Sequence, residues 1–370
     1  MLHTLALHLM RGITQAQTLE LLRHHTDLPL LFSQPEQALS EVDPAMRRRI
    51  AAAIAEHHSE AMERAKLELE FCEKHNIQLL SINDPRYPQR LAECPDAPAL
   101  LFYLGNGKLN VRHTISVVGT RRISPYGKDL CRLLCADLAR LLPDTLVVSG
   151  LAYGVDIHAH RGCLENGLST VGVLAHGLDH IYPSAHHETA RQMLQKGGLL
   201  TEYVSQTRSV AGNFVRRNRI VAGMTDATIV VESAHKGGAL ITARLAGDYD
   251  RLVCAYPGRT NDACSEGCNH LIRDRRAELV TSANDILDML GWGAHPSAPA
   301  AVQLDLFAEL SPEQKLVVDA LRDTDGLPAA QLCIKTNLDL STLNTLLFEL
   351  EMTGVLKLLP GGAYRLLPRK

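Results

Sequence analysis

Residues 114–119 read TISVVG, 145–150 TLVVSG, 170–177 TVGVLAHG, 198–203 GLLTEY, 227–233 ATIVVES and 251–258 RLVCAYPG. These short, near-continuous apolar runs are separated by helix-length stretches. A parallel sheet needs that texture, because crossover helices cover both of its faces and leave its strands no solvent side. The pattern predicts a doubly wound α/β domain. Several runs end in glycine or a small polar residue, and in such sheets ligands sit at the carboxyl ends of the strands.

Outward from this block the texture changes twice. Residues 1–65 carry Leu5, Leu9, Leu19, Leu21, Leu22, Ile50 and Ile54 at helical spacing, broken by Gly12, Pro29, Pro35 and Pro44, which predicts a small all-helical domain. The α/β domain is expected over 66–292, its first part a helix that gives way to extended, proline-punctuated chain up to Leu101–Gly105. The segment AHPSAPAAVQ then marks a linker over 293–308. Over 309–370, helical patterns at 312–322, 328–335 and 341–353 precede β-like runs Val355–Leu359 and Ala363–Leu367 around Gly361–Gly362. Three helices and a terminal hairpin predict a winged helix.

The whole chain of 370 residues is 46% hydrophobic and 21% charged, enough to bury sizeable cores. Its 38 Lys+Arg against 41 Asp+Glu give a net charge of −3, which excludes a uniformly basic nucleic-acid coat but not a local basic patch. The N-terminal apolar stretch is interrupted by His3 and His8 and lacks a basic n-region, so no signal peptide is expected. No apolar run spans a bilayer. Nine scattered cysteines then read as reduced thiols of a cytoplasmic protein.

Cationic and small residues gather at the ends of the runs. The first loop passes Gly119, Thr120, Arg121 and Arg122 to a helix start with Ser124 as N-cap and Pro125 in the first turn. Free N–H groups there, with two arginines, favour an anion, phosphate being the natural candidate. Set against this is a tight turn with solvated arginines, since neither GxGxxG nor P-loop spacing is present. Ser149, Gly150 and Gly154 repeat the small-residue arrangement after the second run, and the absence of G-x-S-x-G argues against a hydrolase serine. Phe214 precedes Arg216, Arg217, Asn218 and Arg219, a positive groove plus an aromatic face of the kind that binds single strands. The bland alternative puts Phe214 in the core and the arginines in solvent or ion pairs. Glu232 is the penultimate residue of the fifth run, and Lys236, Gly237, Gly238 and Thr242 follow it, the paired glycines making a further anion nest. A carboxylate there also leaves open an enzyme that hydrolyses nucleotide N-glycosidic bonds.

Histidines bunch at His158, His160, His176, His180, His186 and His187, but the cysteines lack zinc-site spacing, so no metal and no cofactor are expected. The third helix of the terminal domain carries Glu349 and Glu351 and no Lys or Arg, a poor fit to the major groove. Lys335, Lys357, Arg365, Arg369 and Lys370 leave only a weak route through the wing. A protein-docking or scaffold role is at least as strong an expectation for this domain.

The ordered motifs VGTR, SGLAYGVDIHAH, GLDHIYP, TEY, FVRRNRIVAG, VVES…GGALITA and GCNHLI together resemble the DNA processing protein A (DprA/Smf) family over about residues 110–290. The resemblance implies an extended Rossmann-like fold, with a SAM/helix-hairpin-helix-like N-terminal domain and a winged-helix tail. It also implies a homodimer formed through the α/β domain, single-stranded DNA as ligand, and loading of RecA recombinase during natural transformation, without catalysis. It assigns Arg121 to DNA phosphate, matches Phe214, Arg217, Asn218 and Arg219 to the family's FPxRNR motif, and places Lys236, Gly237 and Gly238 on a loop facing the same pocket. Gly119, Thr120, Ser149 and Gly150 complete the expected site. Val215 stands where the family has proline, removing a rigid φ. The lysine that the family often has just before the phenylalanine is absent from Ser209 to Asn213, and Arg208 or Arg216 is the candidate to supply that charge. A nucleotide phosphoribohydrolase using Glu232 and a winged helix reading duplex DNA are the competing readings.

Overall fold

The computed structural model describes residues 1–292, 311–322, 324, 327–352, 355–358 and 363–366. The chain forms two compact units, Met1–Gly293 and Ala294–Lys370. The expected linker over 293–308, the turn Gly361–Gly362 and the basic residues Arg369 and Lys370 lie outside the described residues.

The first unit opens with helices α1 (Leu2–Leu9), α2 (Gln15–Arg23), α3 (Leu28–Ser33), α4 (Pro35–Ala38) and α5 (Pro44–Lys74). Capping residues start them where the chain requires it. Thr14 and Gln17 form a reciprocal capping box on α2, and Asp43 accepts from the amides of Ala45 and Met46 ahead of Pro44 at the start of α5. The boundary expected at residue 65 falls inside α5. Leu5, Leu31, Ile50, Ile54 and Ala65 share one core with Leu79, Leu100 and Phe102 of the sheet, so helices and sheet edge fold as one body.

The sheet is built from β1 (Gln78–Ser81), β2 (Leu100–Gly105), β3 (Thr114–Val118), β4 (Leu146–Ser149), β5 (Ser169–Val173), β6 (Gly198–Thr201), β7 (Ala227–Val230), β8 (Leu252–Ala255) and β9 (Glu278–Leu279). Their order is β1-β2-β6-β5-β4-β3-β7-β8-β9. The six quoted runs are β3 to β8, all parallel to their neighbours in that group, as the sequence predicts. β1 and β2 add an antiparallel edge next to β6. The chain winds outward from β3 to β6 and returns to β7 on the other side of β3. That reversal is the topological switch point, where the loops leaving adjacent strands diverge and a crevice opens.

Helices α6 (Gln89–Ala92), α7 (Pro125–Leu141), α8 (Val155–Glu165), α9 (His187–Met193), α10 (Ala211–Gly223), α11 (Gly238–Asp248), α12 (Glu266–Arg273) and α13 (Ala283–Met289) cover the sheet. Two cores result. Ile115, Val117, Val147 and Ile229 face Leu134, Leu138 and Ala159 on one side, while Val118, Val148 and Val230 face Ile220, Val221 and Ala243 on the other. Ser116 and Thr228 also face inward and satisfy one another at 2.8 Å. All nine cysteines are free thiols, seven of them buried. No helix among the described residues is long and apolar enough to cross a membrane.

The second unit is a winged helix. Helices α14 (Pro312–Leu321), α15 (Ala329–Thr336) and α16 (Leu340–Met352) enclose Val317, Val318, Leu321, Leu332, Leu343 and Leu347. A sheet in the order β10-β12-β11, made of β10 (Leu327–Pro328), β11 (Leu356–Leu358) and β12 (Ala363–Leu366), closes it.

Candidate functional site

A pocket of about 560 Å³ opens at the switch point, beyond the carboxyl ends of β3, β4 and β7 and against the first turns of α10 and α11. The β3 loop contributes Gly119, Thr120 and Arg121, the β4 loop Gly150 and Ala152, the first turn of α8 Asp156, and α10 Phe214, Arg217 and Asn218. The β7 loop and α11 supply Gly237, Gly238 and Thr242.

The β3 loop is fixed from below. The Thr120 amide donates to the Glu232 carbonyl at 2.7 Å, and the Thr120 carbonyl accepts from the Val155 amide at 3.1 Å. Gly154 adopts φ +80°, and a side chain there would collide with the Thr120 carbonyl. Ser124 caps α7 as expected, accepting from the Gly127 amide at 3.1 Å. Arg121 is thereby left exposed at the rim, its guanidinium 5.3 Å from the centre of the Phe214 ring.

Arg217 is the buried cation of the site, only 4% exposed. Its Nη1 donates to the Val173 carbonyl, while its Nε finds no partner. The guanidinium packs against Gly150, where a Cβ would collide with it, so the glycine leaves it room. Asp156 accepts from the amides of Gly150 (3.1 Å) and Ala152 (3.3 Å) and shapes the loop. Between those two amides Leu151 is held at φ +55°, a strained conformation for a branched side chain. Burial pushes the Asp156 carboxyl above its ordinary value, and the Arg217 charge only partly offsets this. Burial, aggravated by Arg121, lowers the affinity of Arg217 for its proton. Two cations thus share one cavity with a single buried carboxylate. The starts of α10 and α11 add positive character, since neither receives a side-chain cap. The chemistry on offer is anion binding beside an aromatic face.

Three expected residues stand elsewhere. Ser149 is fully buried, and its hydroxyl donates to the Val117 carbonyl at 2.6 Å, tying β4 to β3. Arg219 points to the other side of α10 and is locked to Glu202 at 2.6 Å. Lys236 is exposed and lines a neighbouring groove rather than the pocket. Arg208 and Arg216 are exposed and do not line the pocket. Val215 lies within α10, not in a loop, and is 51% exposed. A proline there would lack the N–H that joins the helix to its first turn, so valine lets α10 begin at Ala211.

Glu232 does not face the pocket. It is fully buried, and its carboxylate accepts from the Ser124 amide at 2.9 Å and from the Ser124 hydroxyl, which spends it on the start of α7. Two pocket residues were not singled out from the sequence. Asp156 sits within the VDIHAH string, and Tyr182, 50% exposed, brings a second ring to 6.0 Å from Phe214. Their signal was the motif strings themselves.

The family model described as DNA recombination-mediator protein A matches residues 78–291, and the DprA winged helix domain matches 296–362. Protein Smf of Escherichia coli is 35% identical over 322 residues, 82% of each chain. The X-ray structure of DNA processing protein A from Streptococcus pneumoniae superposes with a TM-score of 0.58 at 31% identity, covering 75% of this chain and 98% of that one. A structure of DNA processing protein A from Helicobacter pylori, described by its single-stranded DNA binding mode, gives 0.52 at 29% identity, covering 58% and 96%. Matched along its sheet and its terminal domain, and related over most of its length to proteins of one kind, this chain belongs to the DNA recombination-mediator protein A (DprA) family.

Proposed function

We propose that this protein binds single-stranded DNA in the switch-point pocket, with phosphates held by Arg121, Arg217 and the amide-rich starts of α10 and α11, and a base resting on Phe214 beside Tyr182. The observation that carries the reading is the pairing of an exposed and a buried arginine with an aromatic face in one cavity. Single-strand sites combine these same parts. The single-stranded DNA binding described for the Helicobacter pylori relative supports it. In this reading the protein acts in the cytoplasm as a homodimer joined through its α/β unit. It protects strands taken up in natural transformation and passes them to RecA recombinase without catalysing a reaction. The engagement of Glu232 with Ser124 supports the non-catalytic part. The winged helix is left for a protein partner, because α16 carries no cation for the major groove.

The test is a competition between a labelled single strand and an unlabelled duplex on the full chain, run beside an assay for free base released from nucleoside monophosphates. Single strand should win and no base should appear. Preference for duplex, or base release abolished by Glu232→Gln, would overturn the reading.

A further inference from the structure

Within the bunched stretch His176 and His180 stack, their ring centres 4.3 Å apart, and a second histidine pair, outside that stretch, meets a carboxylate. His235, on the loop between β7 and α11, meets His270 of α12 with their Nδ1 atoms 3.1 Å apart and their rings at 89°. Glu266 lies one turn before His270 on the same helix. One ligating atom from each of the three residues can be chosen so that all lie within 4.8 Å of one another. Two elements distant in sequence build this cluster, and the backbone fixes their approach. The Gly267 amide donates to the Ser233 carbonyl at 2.7 Å. Residue 267 must be glycine for this, since a Cβ there would lie 2.6 Å from the Ala234 carbonyl.

We propose that His235, Glu266 and His270 form a binding site for a late first-row divalent ion, with zinc as the representative. Two imidazoles and one carboxylate suit that class of metal. Ligand nitrogens on a tetrahedral zinc stand roughly 3.3 Å apart, given bonds of about 2.0–2.1 Å. The two Nδ1 atoms are already near that spacing, so little reorganisation is needed. Three protein ligands leave one position open. It borders the groove of about 910 Å³ lined by Lys236, Arg244, Arg273 and Arg276, where a water or an anion completes the shell. The ion adds a double positive charge at His235, two residues before Gly237, which lines the pocket. In sequence the site is hidden, because Glu266-x-x-x-His270 supplies two ligands on one helical face while the third lies 31 residues earlier.

The test titrates zinc into the full chain in competition with a chromophoric chelator, comparing the parent with His235→Ala/His270→Ala and with Glu266→Gln. The three residues are exposed or half-buried, and unchanged thermal unfolding of the metal-free variants checks the fold. The parent should bind one equivalent more than the double variant, and Glu266→Gln should weaken that equivalent at least tenfold. Cobalt in place of zinc should give tetrahedral d–d absorption in the parent and lose it in the double variant. Equal stoichiometry and identical cobalt spectra in parent and double variant would overturn the proposal. No DNA enters these measurements, so the result stands apart from the reading of the pocket.

Discussion

Arg217 and Phe214 divide the work of the pocket between charge and surface. Arg217 lines the pocket while almost wholly buried, so a phosphate oxygen that reaches its guanidinium gains a charge-assisted bond that solvent screens little. Phe214 is half-buried, with Arg121 above one face and Tyr182 at its edge. Stacking of a base on such a ring is worth roughly 1–3 kcal/mol. Phe214→Ala should therefore weaken single-strand binding by about tenfold while leaving its salt dependence unchanged, measured by fluorescence anisotropy at several salt concentrations. A changed salt slope would show that the ring acts through Arg121 rather than through bases. Arg219, two residues after Arg217, was expected beside it. Positions i and i+2 point to different sides of a helix, so one of the two arginines had to leave the pocket once 211–223 became helical.

At the level of elements, the segment from Glu202 to α10 is held by two buried carboxylates. Glu202 receives Arg219, and Glu68 of α5 accepts from the Ser205 amide at 2.7 Å and its hydroxyl at 2.6 Å. These contacts seat α10 and thereby aim Phe214 and Arg217. Removing one member of a buried pair strands the other, at a cost of about 3–5 kcal/mol. Arg219→Ala should lower stability by that amount in urea unfolding, and Arg219→Met with Glu202→Leu should recover much of it. A neutral Arg219→Ala with a large loss of DNA affinity would instead return Arg219 to the binding site. Much of this level was legible in advance. Strands β3 to β8 were readable because burial on both faces leaves no polar alternation to confuse them. β9 was not, since two exposed residues carry no periodic signal, and the β1–β2 edge was readable only as extended chain. The meeting of the β3, β4 and β7 loops followed from the doubly wound order, whereas the pairing of Glu202 with Arg219 depends on a packing angle that no local pattern encodes.

Across the whole molecule, buried titratable groups make stability depend on pH. His160 is fully buried against Thr170, its Nδ1 2.7 Å from the hydroxyl. Burial, with His186 and Arg217 nearby, lowers its pKa from 6.5 to about 3. Unfolded, the imidazole takes up a proton below about pH 6.5; folded, it does not, so stability present above that pH is lost as the pH falls towards 3. The stability gap between the parent and His160→Gln should shift against the parent by about 1.4 kcal/mol per pH unit below 6.5. A gap independent of pH between 6.5 and 4 would mean that His160 protonates in the fold. The net charge of −3 fits the same picture, because the cations that matter are concentrated at one crevice rather than spread over the surface. The most direct test of that claim is the salt dependence of single-strand affinity in the parent and in Arg121→Ala/Arg217→Met. Each lost phosphate contact reduces the slope of log K against log salt by about 0.7 for a single strand. The double variant should bind more weakly, with a slope smaller in magnitude by about 1.4. Parent-like affinity and slope in a folded double variant would contradict the assignment of this pocket to DNA.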